Sequence, residues 1–191
     1  MCRCARFARA QTVSAKMRTM LPGPRDRIDT SALRHALVVK LRHHGDVLLA
    51  SPVFTALKAH APHIEVDALV YEDTRDMLSG HPAIRMVHGI DRKWKELPVH
   101  ERLMREWRLF SALRAQRYDL LIHLSEHPRG AWLARALGVR HSVAPNIATK
   151  TDFWKQSFTH RFAQPLNANR HMVEWNLDAL RRIEILLCNP E

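Results

Sequence analysis

Residues 36–49 read Ala36-Leu37-Val38-Val39-Lys40-Leu41-Arg42-His43-His44-Gly45-Asp46-Val47-Leu48-Leu49. The first part is a short apolar run without alternation, the mark of a strand buried on both faces. The polar stretch at 42–46 ends it. From Asp46 to His60 the apolar residues return at helical spacing, with Leu49, Val53 and Leu57 four apart on one face. Pro suits only a first helical turn, so at Ser51-Pro52 this helix either begins afresh or kinks.

The same alternation continues outward. Strands are predicted over Ile64–Tyr71, Ile84–Ile90 and Tyr118–Leu124, with a fifth at Ser142-Val143-Ala144. A short helix fits Thr74–Ser79. The clearest helix is Pro98–Ala115, where Val99, Leu103, Trp107, Phe110 and Leu113 form one apolar stripe. Arg105 and Arg108 lie opposite it and Arg102 lies at its edge. Helices are also predicted over Arg129–Leu137, with Gly138 as a C-terminal stop, and over His171–Ile183. Residues 150–165 have no clear period. Strands alternating with helices imply an α/β fold, a Rossmann-like parallel sheet with helices on both faces.

Composition narrows the class. The 191 residues are 46% hydrophobic, enough for one ordinary core. A net charge of +11 points at first to nucleic acid. Residues 1–40, however, hold nine Lys/Arg against two Asp/Glu, so most of the excess sits in the leader and not on a core face. Nucleic acid is therefore not an expected partner. Cys2, Cys4 and Cys188 form no pairing framework and no zinc spacing, which favours a reducing compartment. No apolar run approaches the ~18 residues of a spanning helix. The Leu21-Pro22-Gly23-Pro24-Arg25-Asp26 cluster separates an extension, residues 1–31, from the ordered domain.

In open parallel sheets, ligands bind beyond the carboxyl ends of the strands. At the first such end Gly45 permits a tight turn or a close backbone approach. Asp46 has two readings there. It is either the N-cap of the next helix, or a carboxylate able to take a proton from a substrate hydroxyl. After the third strand comes Asp91-Arg92-Lys93-Trp94-Lys95: an ordinary basic loop, or a cationic clamp on phosphate or carboxylate. After the fourth comes Ser125-Glu126-His127-Pro128-Arg129, which would point Glu126, His127 and Arg129 into the same crevice. Together these ends imply an anionic, hydroxyl-bearing ligand. Neither Gly-x-Gly-x-x-Gly nor a P-loop is present, and no His-Glu-x-x-His occurs, so no cofactor and no metal site is expected. His171 and Glu174, three apart on a helix, read as a surface pair sooner than as shared ligands.

Taken in order, several segments resemble the bacterial ADP-heptose:lipopolysaccharide heptosyltransferases, glycosyltransferase family 9. They are Lys40–Leu49, Val70–Arg75, Gly89–Lys95, Tyr118–Gly130 and Asn169–Glu174, within a match from Leu33 to Ile183. The likeness is greatest to the type that adds the third, branching inner-core heptose. It implies a GT-B architecture, two Rossmann-like domains facing across a cleft, with the acceptor on the N-terminal one. It implies inverting transfer without a metal, with Asp46 as the catalytic base. It implies acceptor contacts from the basic loop, Arg92, Lys93 and Lys95, and Glu126, His127 and Arg129 are expected to join them.

The resemblance also frames the organisation: a basic extension at 1–31, an acceptor-binding domain at 32–184 and a tail at 185–191 that departs from the family's interdomain region. The expected partner is the lipopolysaccharide inner core, met as a cytoplasmic protein peripheral at the inner membrane. ADP-heptose is expected only where a C-terminal domain is supplied. A frameshift, an early stop or a truncated gene model would account for one domain where the family has two, and the polypeptide alone is then expected not to transfer heptose. The alternative is a non-catalytic binding module for anionic glycolipid.

Overall fold

The computed structural model describes residues 28–163 and 170–185. The basic leader up to residue 27, all three cysteines, Asn169 and residues 186–191 lie outside them. Ile28 is already packed in the core, and Asp29 caps a turn at Thr30–Ala32 by accepting from the Ser31 N–H at 3.0 Å.

Among the described residues, six strands form one sheet: β1 (His35–Val39), β2 (Glu65–Tyr71), β3 (Met86–Ile90), β4 (Leu120–His123), β5 (His141–Asn146) and β6 (His160–Ala163). Their spatial order is β3-β2-β1-β4-β5-β6, and every pairing is parallel. This is the doubly wound arrangement expected from the alternating pattern. The polar break after β1 becomes α1 (His44–Leu48), and α2 (Ser51–His60) does begin afresh, with Pro52 in its first turn. The predicted helix at 74–79 is a 3₁₀ segment, Glu72–Leu78, and the basic loop is another, Arg92–Glu96. Next come α3 (Val99–Ala115) and α4 (Arg129–Leu137), the latter closed by Gly138 at φ +63°. The stretch without a clear period resolves into α5 (Asp152–Gln156) and β6. The last helix is α6 (Met172–Arg181).

Successive strand residues face opposite sides, so β1 feeds two cores. Ala36 and Val38 pack with Val53, Phe54 and Leu57 of α2 and Leu180 of α6. Leu37 and Val39 pack with Leu113 of α3, Leu133 of α4 and Trp154 of α5. Full burial of one such large aliphatic side chain stabilises by about 1.5–3 kcal/mol. Asp119 fixes the start of the β1–β4 pair, accepting from the backbone N–H groups of Arg34 (2.7 Å) and His35 (3.1 Å). The α3 stripe departs from expectation. It is buried only at Leu113, while Val99, Leu103 and Trp107 remain exposed.

Candidate functional site

The chain winds outward from β1 to β3 on one side, then crosses to β4 and winds outward again. The carboxyl ends of β1 and β4 therefore flank the topological switch point, where the strand order leaves a crevice. Lys40, the residue after β1, is 3% exposed. Its ammonium donates to the carbonyl of Leu124 beyond β4 (2.9 Å) and to Asn176 Oδ1 of α6 (3.0 Å). Asn176 in turn donates through Nδ2 to the Leu49 carbonyl at 2.9 Å. This network ties both strand ends and the segment after α1 to α6. Burial pushes the Lys40 ammonium down to about 8; the charge of Asp46 offsets part of that, and Arg42 adds to it.

Asp46 stands half-buried in the first turn of α1. The N-cap position belongs to His43, which makes no side-chain capping bond. The cap reading of Asp46 is thus not realised. Its carboxylate has no hydrogen-bond or ion-pair partner among the described residues, and the nearby buried cation is Lys40. Gly45 differs from its expected role as well. Its φ is not positive, and a Cβ there would meet nothing within 4 Å. No neighbouring backbone requires a glycine at this position; what it leaves is open space beside Asp46.

A cavity of about 550 Å³ opens next to the ends of β2 and β3. Tyr71, Arg92, Trp94, Lys95, His127 and Arg129 line it. The structure thus gathers Arg92, Lys95, His127 and Arg129, and leaves Lys93 and Glu126 outside the lining. Lys93 is exposed, its N–H taken by Asp91, which caps the turn at 2.8 Å. Glu126 faces Arg42 at 4.0 Å with about half of each side chain in solvent. Two of the cations are engaged within the protein. Arg92 lies 4.1 Å over the Tyr71 ring, donates to the Arg42 carbonyl (3.1 Å) and sits 3.6 Å from Asp73. Arg129 forms a two-pronged pair with Glu106 at 2.9 and 2.6 Å, so its charge is largely neutralised in place. Lys95 and Arg102 are the exposed cations of the cavity lining. His127 is held below the ordinary histidine range by burial, then by the charges of Arg129 and Lys150.

Behind this cavity lies His123, fully buried and stacked on Phe158 (5.9 Å between centroids, 8°) and against Trp154 (5.4 Å). Burial pushes its imidazole down to about 3, partly opposed by a 3.0 Å hydrogen bond with the His127 carbonyl. A Cβ added at Gly130 would overlap that ring. Gly130→Ala is therefore expected to destabilise by about 1–3 kcal/mol, because a ring wedged between two aromatics has nowhere to go. Gly45→Ala, with open space around it in a helix, is expected to leave stability equal or slightly higher. Thermal melts of the two variants check this. Equal melting temperatures would show that His123 yields readily.

Reading from sequence missed the Lys40–Asn176 lock, the Glu106 partner of Arg129 and Tyr71. Lys40 carried a signal, as a charge closing an apolar strand. His171 and Glu174 do not converge on a shared ligand: His171 caps α6 by accepting from the Val173 N–H (3.3 Å), and Glu174 pairs with Arg181 (2.6 Å). Among the described residues, no three His, Cys, Asp or Glu side chains gather into a metal-holding group.

No protein-family model matches the chain. It is 36% identical over 141 residues to lipopolysaccharide heptosyltransferase 3 of Escherichia coli, covering 73% of this chain and 40% of that one. The protein of the same description from strain K12 is 35% identical over 146 residues, covering 76% and 41%. The chain thus spans about two fifths of the length of these curated relatives. Among solved structures, a family 9 glycosyl transferase from Veillonella parvula superposes with a TM-score of 0.67 at 18% identity, over 84% of this chain and 43% of its own. E. coli heptosyltransferase WaaC with ADP-2-deoxy-2-fluoro heptose superposes with 0.64 at 22%, over 78% and 48%. The chain is thus similar in sequence to the N-terminal part of the lipopolysaccharide heptosyltransferases, and it shares its fold with solved structures of glycosyltransferase family 9.

Proposed function

We propose that this chain is the acceptor side of a heptosyltransferase of lipopolysaccharide inner-core biosynthesis, acting in the cytoplasm on a glycolipid of the inner membrane. The carrying observation is Asp46: a half-buried carboxylate with no hydrogen-bond or ion-pair partner among the described residues, at the switch-point crevice and beside open space over Gly45. In this reading an acceptor hydroxyl enters that space and Asp46 takes its proton. The freed oxygen attacks the anomeric carbon of ADP-heptose as the bond to the diphosphate breaks, so the centre inverts. The donor is held by a second domain of the family's architecture. The cavity lined by Arg92, Lys95, His127 and Arg129 receives the anionic groups of the inner core, and Lys93 and Glu126, outside its lining, are left without a contact in this reading.

The test is direct binding. The 191-residue chain should bind delipidated inner-core oligosaccharide carrying its phosphates and acidic sugars, followed by titration calorimetry. Lys95→Ala should weaken that binding by about tenfold or more, the worth of one charge-assisted hydrogen bond. Absence of binding, or full affinity in the Lys95 variant, would remove the acceptor assignment from this cavity.

A further inference from the structure

The core leaves one face of α3 uncovered. Val99 (65% exposed) and Trp107 (68%) project from it two turns apart, with Leu103 between them. Across a groove of about 530 Å³ stands Trp132 of α4, 63% exposed and leaning on Phe153 at 4.6 Å. Two large exposed indoles on neighbouring helices, with aliphatic residues beside them, form a contiguous apolar patch of the kind that marks an interaction site. The groove is continuous with the basic cavity: Leu103, Glu106 and Arg129 line both.

The charge around the patch identifies what fits it. Arg102, Arg105 and Arg108 are exposed on α3 and have no ion-pair partner among the described residues. Lys93 and Lys95 are exposed on the turn before it. The acids of α3 are Glu101 and Glu106, and Glu106 is already held by Arg129. Tryptophan and aliphatic side chains on one face of a helix, with arginine on the other, suit the boundary between lipid headgroups and acyl chains. A second copy on a two-fold axis would set the arginines of one α3 near those of the other, which their charge opposes.

We propose that the α3–α4 face docks on an anionic phospholipid bilayer, with Trp107, Val99 and Trp132 entering the headgroup layer and the cations of α3 and the preceding turn meeting phosphates. This rests on the reading of the acceptor as a membrane glycolipid, names the surface that would bring the chain to it, and is testable without any glycolipid.

The whole chain is mixed with vesicles of phosphatidylethanolamine and phosphatidylglycerol, or of phosphatidylcholine alone, and followed by co-sedimentation and tryptophan emission. Binding to the anionic vesicles with a blue shift is expected, and markedly weaker binding to phosphatidylcholine. The double variant V99S/W107S should lose at least about tenfold in affinity for the anionic vesicles, and W132S, on a separate helix, should lose affinity in the same direction. All three side chains are more than half exposed, so melting temperatures should not move. Delipidated oligosaccharide should bind these variants as it binds the parent, since none of the three lines the basic cavity. The proposal is overturned if the parent ignores anionic vesicles, or if V99S/W107S binds them as tightly as the parent. It is also overturned if the substitutions instead dissolve a dimer seen by sedimentation velocity. Loss of sugar binding with vesicle binding intact would count against the acceptor reading and not against this surface.

Discussion

Asp46→Asn, placed in a polypeptide that joins residues 1–191 to a donor-binding domain of this family, is expected to lower kcat for heptose transfer by about 10²–10⁴-fold. The size follows from what the side chain would do. A sugar hydroxyl is a weak nucleophile until its proton leaves, and a positioned base removes that proton as the new bond forms. Asparagine keeps the shape and loses the basicity. In transition-state terms the loss is about 3–5 kcal/mol. The effect on stability should be far smaller. Asp46 makes no cap, so its removal costs only its favourable position in the first turn of α1, about 0.3–1 kcal/mol. It also takes away the anion whose charge supports the buried Lys40 ammonium. Acceptor affinity should hold within a few-fold while kcat falls, which separates a base from a binding residue. Unchanged turnover at saturating acceptor would return Asp46 to the role of an ordinary helix-start carboxylate.

Much of this geometry was legible in the sequence because it is written in local patterns. The apolar run at 36–39 has one environment open to it, the centre of a parallel sheet, and it is there that β1 lies. Pro52 and Gly138 each mark a boundary that follows from backbone constraint, and both boundaries are found there. Partnering was not legible, because it is settled by residues far apart in the chain. Arg129 reads as a free cation at a helix start until α3 is folded against it and Glu106 arrives. Lys40 stands at the end of an apolar run, and nothing beside it in sequence names its partner until α6 closes over it with Asn176. The stripe of α3 has a helical period that speaks of burial, yet period reports amphipathicity and not what covers the apolar side. Gly45 reads as a turn residue, yet its surroundings are empty, a fact about space that no neighbour in sequence records.

Asp67→Asn is expected to destabilise the fold by about 3 kcal/mol at neutral pH, the lower end for breaking a buried charge pair. Asp67 lies in the middle of β2, fully buried. Burial alone would raise its pKa, but three donors on two neighbouring segments more than compensate. Arg85 meets it with two bonds (3.0 and 2.6 Å), the Tyr118 hydroxyl donates at 2.6 Å, and His88 lies at 3.6 Å. The carboxyl is held well below the usual range as a result, while burial and then the Asp67 bond push the Tyr118 phenol up. Asparagine offers one acceptor oxygen where these donors met two, and it turns an N–H toward another donor. The cost stays at the low end because Arg85 retains Glu65 at 3.0 Å and Gln116 at 2.6 Å. The pH dependence follows from the direction of the shift. A carboxyl with a depressed folded pKa contributes stability that is present above its unfolded value of about 4 and lost as pH falls below it. The gap between parent and variant should therefore be widest near neutral pH and narrow progressively below about pH 4. Urea unfolding at several pH values measures it, and a gap that stays constant down to acid would mean that the Asp67 charge is not what the network depends on.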